Sequence, residues 1–371
     1  MQTQAAILWG ARERWSVEDV ELDPPGTGEV LVQLVATGLC HTDDHAATGD
    51  LPSPYPVIRG HEGAGIVAEV GPGVSSVTVG DHVAMSFVPS CGKCPSCVNG
   101  AQNLCDLGAS IPLGRAISDG GFRAHARGQD IASGNLLSAF ARHAVVHEYS
   151  IVKIDPDIPL DLACLVSCGV ATGWGSAVNA GKVHTGDTVV VVGAGGLGMN
   201  AVQGARAAGA ANIIVVEPVS WKRDEAKTFG ATHSAASLAD AAVLVGTVTH
   251  GQMANVAILT TGVATSEQVS PTVNLVGKRG RVILTAVAPI LQTEVSLNLM
   301  EMTFWEKSIH GALYGSGNPR YMIPHLLDRY KRGDLMLDQL ITKRYALEQI
   351  NEGYADLKDG KNIRGVLIMG E

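Results

Sequence analysis

The run TVVVV at Thr188–Val192 leads without a break into Gly193, Ala194, Gly195, Gly196, Leu197 and Gly198, and then into a helix-period segment over 199–208. Five consecutive β-branched residues predict a strand buried on both faces, because a half-exposed strand would alternate. Each glycine then has its own use. The first permits a tight turn, the second lets backbone approach a pyrophosphate, and the third lets helix pack on strand, while the helix N-terminus offers unpaired N–H groups to phosphates. A second strand over 213–216 ends at Glu217, nineteen residues after Gly198, where an acidic side chain accepts hydrogen bonds from the adenosine ribose hydroxyls. A carboxylate there repels a 2′-phosphate, so NAD is expected over NADP; Lys222 and Arg223 are basic groups that serve either cofactor. GxGxxG alone is a weak signal. Strand, glycines, helix, second strand and acid in this order predict an α/β, doubly wound parallel sheet.

Four of the seven cysteines, Cys91, Cys94, Cys97 and Cys105, fall within fifteen residues. A CxxCxxCxxxxxxxC run places four thiolates on one loop, close enough to surround a single soft divalent ion, with Gly92 and Gly100 easing the turns. Zinc is the expected occupant. A closed four-thiolate site has no open position for chemistry, so its role is to hold the loop, with binding worth on the order of 10 kcal/mol in small zinc domains. Disulfides are the alternative, as is a redox dithiol, although a dithiol switch needs only two cysteines. The first ten residues, MQTQAAILWG, carry no basic region, apolar stretch or small-residue cleavage site, so a reducing, cytoplasmic setting is expected.

At 371 residues and 46% hydrophobic, the chain is too long for one ordinary core. A net charge of -9 with no long run of Lys and Arg argues against nucleic acid, and the apolar runs are strand-length, far short of a membrane span. Glycine is abundant, 44 residues, and aromatics are scarce at 5%, which suits many short strands joined by tight turns. Apolar runs over 30–36, 65–70 and 81–86, bounded by Gly, Pro and Asp, predict strands in the early part. The expected organisation is a mostly β first part over 1–170 holding the 91–105 loop, a βαβ part over 171–311, and a return segment over 312–371.

Three further residues stand out: Cys40 in GLCHTDDH, His61 in RGHEGAG and Cys168 in SCGVATGWG. Their spacing alone assigns nothing, since a buried cysteine is most often a small core hydrophobe. The motifs around them do more. GLCHTDDH, GHEGAGIVAEVGPGV, GDHV, CGKCPSCVNGAQNLC, CGVATGWGSAV, VVVVGAGGLG and IRGVLI, in this order and spacing, resemble the zinc-dependent medium-chain alcohol dehydrogenases over essentially the whole chain. Within that family the chain is most similar to the nicotinoprotein group, which retains NAD and turns over with an artificial nitroso-dimethylaniline acceptor.

The resemblance implies a Rossmann NAD-binding domain beside a mostly β, GroES-like catalytic domain, two zinc ions per chain, and hydride transfer between a primary or apolar alcohol or aldehyde and NAD. It assigns Cys40, His61 and Cys168 to the catalytic zinc and Cys91, Cys94, Cys97 and Cys105 to the structural one. Glu62 corresponds to a carboxylate that approaches the metal during ligand exchange. Asp43 is the expected acceptor of the other His61 ring N–H, with a helix cap as the alternative. Thr42 and His45 carry the released proton; an exposed loop histidine is the other reading of His45. Cofactor contacts are implied at His41, Thr172, the turn formed by Gly193, Gly195, Gly196, Leu197 and Gly198, and at Glu217, Lys222 and Arg364. Many relatives carry arginine at the position of His41, so that residue does not explain cofactor retention. Phe87, Phe140 and Trp174 are the expected pocket walls. The segment 110–144 resembles a loop that helps cover the substrate channel and departs from relatives at AFARH, 139–143. Cys164 is expected to pack in the core. Expected partners are a small alcohol or aldehyde, an external electron acceptor if NAD is retained, and further copies in a homodimer or homotetramer, with no nucleic acid or membrane. Two other readings stand beside this one. A thiol-adduct formaldehyde dehydrogenase shares the fold but needs a pocket for a charged adduct, and a zinc-stabilised NAD-binding scaffold gives no reason for Thr42 and His45 beside an open metal site.

Overall fold

TVVVV forms the strand Thr188–Val192, and all five residues are buried. The structure, a computed structural model, describes residues 1–370. It divides into two units, one of Met1–Cys168 with the return segment from Asn318 onward, the other of Gly169–Gly317.

In the second unit the six strands, in chain order, are Thr188–Val192, Asn212–Val216, His233–Ala235, Ala254–Leu259, Val276–Leu284 and Ser308–Gly311. They lie in the spatial order third, second, first, fourth, fifth, sixth, and all pairs are parallel. That is the doubly wound order, whose switch point lies between the first and fourth strands, at their carboxyl ends. Val190 faces Ile214 on one side and Ala257 on the other, so the first strand is central and its alternation is lost. The following helix is Gly196–Ala207, beginning three residues before the expected 199 because Gly196 and Gly198 form its first turn. Ser308–Gly311 pairs on one side only and leaves an open edge.

The first unit holds a closed barrel of Gln2–Leu8, Ser16–Leu22, Ala124–Ala126, Gln129–Ser133 and Val57–Ile58. A second sheet is built on the long strand Glu29–Gly38. It pairs antiparallel with Gly63–Val70, His143–His147 and Arg364–Ile368. His82–Met85 continues the sheet beyond Gly63–Val70, and Ile341–Ala346 continues it beyond Arg364–Ile368. The expected strands at 30–36, 65–70 and 81–86 are each present, with ends extended or trimmed by one or two residues. Barrel and sheet share a core in which Trp15 stacks on Tyr354 at 5.8 Å and meets Phe140 edge-on at 5.4 Å. No single helix among the described residues is long and apolar enough to cross a membrane.

On the barrel surface His125 stands between two carboxylates, Asp130 at 2.9 Å and Asp23 at 3.1 Å. Burial lowers its pKa, but the two carboxylates outweigh it and the net shift is upward. A raised folded pKa means that the stabilisation is complete below the unfolded value of about 6.5 and is lost as pH rises through the folded value. His125→Asn is therefore expected to cost roughly 0.5 kcal/mol at pH 5.5 and nothing at pH 9.5, a difference readable as Tm of the variant against the parent at the two pH values.

Candidate functional site

Sheet register delivers the first cluster. Thr37 lies opposite Gly63 and Gly38 lies opposite Val366, so three strand ends meet at one place. Cys40 leaves the central strand there, His61 and Glu62 enter one neighbour, and Arg364 begins the other. Gly38 N donates to Glu62 O at 3.0 Å and Leu39 N to Gly365 O at 2.9 Å. A Cβ at Gly38 would fall on the Glu62 carboxylate, which explains the glycine there. Cys168 arrives from the helix Leu160–Val166, held by Ser167 Oγ donating to Gly63 O at 3.0 Å.

Cys40, His61, Glu62 and Cys168 each bring a ligand atom to within 4.8 Å of the others, and all four are buried. His61 Nδ1 is taken by Asp43 Oδ2 at 2.8 Å, which leaves Nε2 as the ring's free donor atom. Asp43 is the acceptor expected from sequence, and its other oxygen receives Arg59 Nε at 3.0 Å and Gly60 N at 3.3 Å. Burial pushes the Asp43 carboxyl up, yet His61 and Arg59 outweigh it and hold it below its ordinary value. Burial disfavours a charged His61, but Asp43 and the Cys40 sulfur overcome that and push it up to about 10. A hydrogen bond from Cys168, ahead of the His61 charge, holds the Cys40 thiol well below its usual range. Two buried sulfurs, one imidazole nitrogen and a carboxylate so close together form a donor set that could hold zinc.

The second cluster is the tetrad. All seven cysteines are free, which removes the disulfide alternative. Cys91 and Cys97 sulfurs are 3.9 Å apart, as are those of Cys94 and Cys105. Sulfurs bound at about 2.3 Å around a common tetrahedral centre stand about 3.8 Å from one another, so the spacing fits one zinc. Backbone N–H groups point at the sulfurs: Cys94 N to Cys91 Sγ at 3.4 Å, and Cys97 N and Asp106 N to Cys94 Sγ at 3.5 and 3.4 Å. Burial raises Cys91, but the N–H groups of Lys93 and Cys94 outweigh it and bring it to about 6, while burial pushes Cys105 up to about 12. Four thiols so close cannot all ionise without a central cation.

The third group belongs to the second unit. Gly193 has φ 101°, and a Cβ there would meet Thr260 backbone at 3.1 Å. At Gly198 a Cβ would fall on the Gly193 carbonyl, so this glycine is demanded by the protein's own packing. At Gly195 a Cβ would meet nothing within 4 Å, and the backbone is extended, so nothing inside the protein asks for glycine. The open space beside it, at a helix start with no side-chain cap, is a cradle of the kind a pyrophosphate occupies. Glu217 is buried, with Oε2 accepting from Ala194 N at 2.9 Å and Oε1 from Val219 N at 3.0 Å. Its carboxylate therefore also braces the glycine turn, a role the sequence did not suggest. Lys222 is buried close by, its pKa lowered by that burial. Thr172 and Trp174 lie buried on the helix Gly169–Gly175.

The remaining expected residues separate. Thr42 Oγ1 is 3.6 Å from the Cys40 sulfur, and Phe87 meets the His61 ring edge-on at 5.4 Å. His41 and His45 share the helix His41–Thr48 with Thr42. His45 is not an exposed loop histidine: it is 3% exposed and its Nδ1 lies 3.3 Å from Asp50 Oδ2, whose side chain is 40% exposed. Arg364 pairs with Glu62, and its buried Nε has no hydrogen-bond partner among the described residues. Phe140 is fully buried between Trp15 and Tyr354 and presents no wall to a ligand; its aromatic character reflects core packing. In the 110–144 segment, Arg123 and Ser118 clasp the buried Glu29. Cys164 is core, as expected. Sequence reading passed over Arg59 and Asp50, and the signal for Arg59 was an arginine inside the apolar run YPVIRGHEGAG.

Residues 26–156 match the alcohol dehydrogenase GroES-like domain and residues 196–332 the zinc-binding dehydrogenase family. Alcohol dehydrogenase B of Mycobacterium tuberculosis is 50% identical over 368 residues, covering 99% of this chain and 98% of that protein. NDMA-dependent alcohol dehydrogenase of Amycolatopsis methanolica is 49% identical over 368 residues, 99% of each. Benzyl alcohol dehydrogenase from Acinetobacter calcoaceticus has a similar solved structure, with TM-score 0.90 at 32% identity and 100% of both chains covered.

The glycine turn makes a separable prediction. Gly198→Ala is expected to destabilise the protein by about 3 kcal/mol or more, because backbone must move to admit the methyl group. With nicotinamide cofactor removed from parent and variants alike, Gly195→Ala should unfold at the parent's temperature, with both read by thermal melts.

Proposed function

The chain belongs to the zinc-dependent medium-chain alcohol dehydrogenase family, and from that premise we propose that it interconverts a primary or apolar alcohol and its aldehyde by hydride transfer with a tightly retained NAD. The observation that carries this reading is the buried set of Cys40, His61 and Cys168, with Thr42 Oγ1 against the Cys40 sulfur. When bound, zinc and NAD supply Lewis acidity toward an alcohol oxygen and a hydride acceptor at the nicotinamide.

The protein's own groups do the rest. Cys40 Sγ, His61 Nε2 and Cys168 Sγ hold the metal, Asp43 keeps the His61 tautomer, and Glu62 stands as the carboxylate for ligand exchange. Thr42 Oγ1 takes the alcohol proton. As it does so the Thr42 hydroxyl would give up its own proton, and His45, on the same helix with Nδ1 3.3 Å from Asp50 Oδ2, is the group that would pass a proton to solvent. Phe87 gives an apolar wall beside His61, which suits an apolar alcohol over a charged thiol adduct. The open space at Gly195 would take the pyrophosphate, with Gly193 and Gly198 shaping the turn, Glu217 and Lys222 would serve the adenosine ribose, and Arg364 Nε is a donor without a hydrogen-bond partner among the described residues. The similarity to the Amycolatopsis protein supports cofactor retention and an external electron acceptor. The open edge at Ser308–Gly311, with Leu299, Met300 and Phe304 exposed at 73%, 66% and 80% nearby in sequence, supports a homodimer or homotetramer. Seven free thiols suit the reducing cytoplasm.

Metal analysis should give two zincs per chain. Cys40→Ser is expected to lose one zinc and turnover while keeping its fold, and Cys94→Ser to lose the other zinc with a large drop in Tm; equal unfolding of both variants refutes the division of labour. Denaturing the purified protein should release stoichiometric nicotinamide cofactor, and alcohol oxidation should run with an artificial acceptor but not with added NAD. Rapid exchange with free NAD leaves an ordinary dehydrogenase.

A further inference from the structure

Directly behind His61 lies a guanidinium for which the proposed mechanism has no use. Arg59 is 5% exposed and spends its donors on four groups. Nε donates to Asp43 Oδ1 at 3.0 Å and Nη1 to Ser53 Oγ at 3.2 Å. Nη2 donates to the Thr42 carbonyl at 3.2 Å and to Asn135 Oδ1 at 3.3 Å. We propose that Arg59 is a positioning residue for the metal centre, acting through Asp43 on the His61 ring and through the Thr42 carbonyl on the helix start that carries the Thr42 hydroxyl. The inference rests on the reading of Cys40, His61 and Cys168 as zinc ligands.

The geometry supports this in three ways. Asp43 Oδ1 is occupied by Arg59 and Gly60 N, so only Oδ2 faces His61, and the plane of the carboxylate is set from behind. That fixes the direction from which Nδ1 is held and hence where Nε2 points. Second, the charge of a carboxylate with no exposed surface is neutralised from the side away from the metal, so Asp43 stays an acceptor committed to His61. Third, one planar fork joins the first turn after Cys40 to the residue preceding Gly60 and His61, so the segments bearing two ligands are locked in one rigid arrangement. Asn135 contributes its amide oxygen from a left-handed backbone at φ 53°, a conformation that asparagine takes more readily than most residues. A lysine would keep a charge near Asp43 but lacks the fork that also reaches Thr42 and Asn135.

The test compares the parent with Arg59→Lys and Arg59→Met, each purified with metal. Zinc release to a chromophoric chelator is followed, with Cys40→Ser marking the phase that belongs to the cysteine tetrad. Cobalt-substituted samples report the ligand field of the histidine-containing site. In both variants release from the three-ligand site should accelerate by about tenfold or more. Tetrad release should stay at the parent rate, and the cobalt bands of the histidine site should shift. In Arg59→Lys kcat should fall with KM little changed. If Arg59→Met does not accumulate, Arg59→Lys carries the test. Parent-like release and spectrum in the variants overturn the inference, and so does equal acceleration at both sites with a lowered Tm, which marks a general fold clamp. A parent that binds zinc only in the tetrad overturns both this inference and the proposed function, whereas two zincs in the parent with indifferent variants overturn the role of Arg59 alone.

Discussion

Pairing of the strand Glu29–Gly38 with Gly63–Val70 on one side and Arg364–Ile368 on the other places three chain segments, far apart in sequence, at one end of one sheet. Cys40, the His61–Glu62 pair and Arg364 lie just beyond the paired residues, so their positions follow from register. A slip of one residue would turn every side chain to the opposite face. Gly38 shows how tight the arrangement is, since even a methyl group there would fall on the Glu62 carboxylate. The buried ion pairs depend on the same register: Glu62 with Arg364, and Asp43 with Arg59 and His61. Charges removed from water in this way are tolerated because each meets a partner fixed by backbone hydrogen bonds.

The two cysteine-containing clusters solve opposite problems with similar donors. The tetrad uses four thiols from one fifteen-residue loop, with backbone N–H groups turned toward the sulfurs, so its geometry is local. It closes around its centre and leaves nothing open. The site at Cys40, His61 and Cys168 draws its ligands from three elements and is held by outer contacts, Asp43 to His61 and Ser167 to Gly63. Its donors come from separate segments, and the Glu62 carboxylate stands among them.

The legibility of the chain follows the same division. Thr188–Val192, the glycine turn and the second strand were readable because their causes are local: β-branched runs, positive φ and helix–strand packing. Helix onset at Gly196 was placed late because glycine lowers helix propensity, and tertiary packing overrides that here. Phe140 resembled a pocket wall by position but is locked between Trp15 and Tyr354, contacts spanning more than a hundred residues of chain. For His45 the alternative of an exposed loop histidine falls, because the ring is buried in a helix with Nδ1 beside Asp50.

Sequence by itself determined the family, the presence of a doubly wound sheet and the cysteine tetrad, since motifs with fixed internal spacing encode them, whereas Cys40, His61 and Cys168 were singled out by resemblance and not by spacing. Tertiary structure decided which oxygen of Asp43 faces His61, that Glu217 braces the glycine turn, and that Arg59 stands behind the Asp43–His61 pair. Those facts depend on contacts between segments that only the fold brings together, where burial makes a polar group's choice of partner nearly obligatory. Spacing along a chain carries no record of such choices.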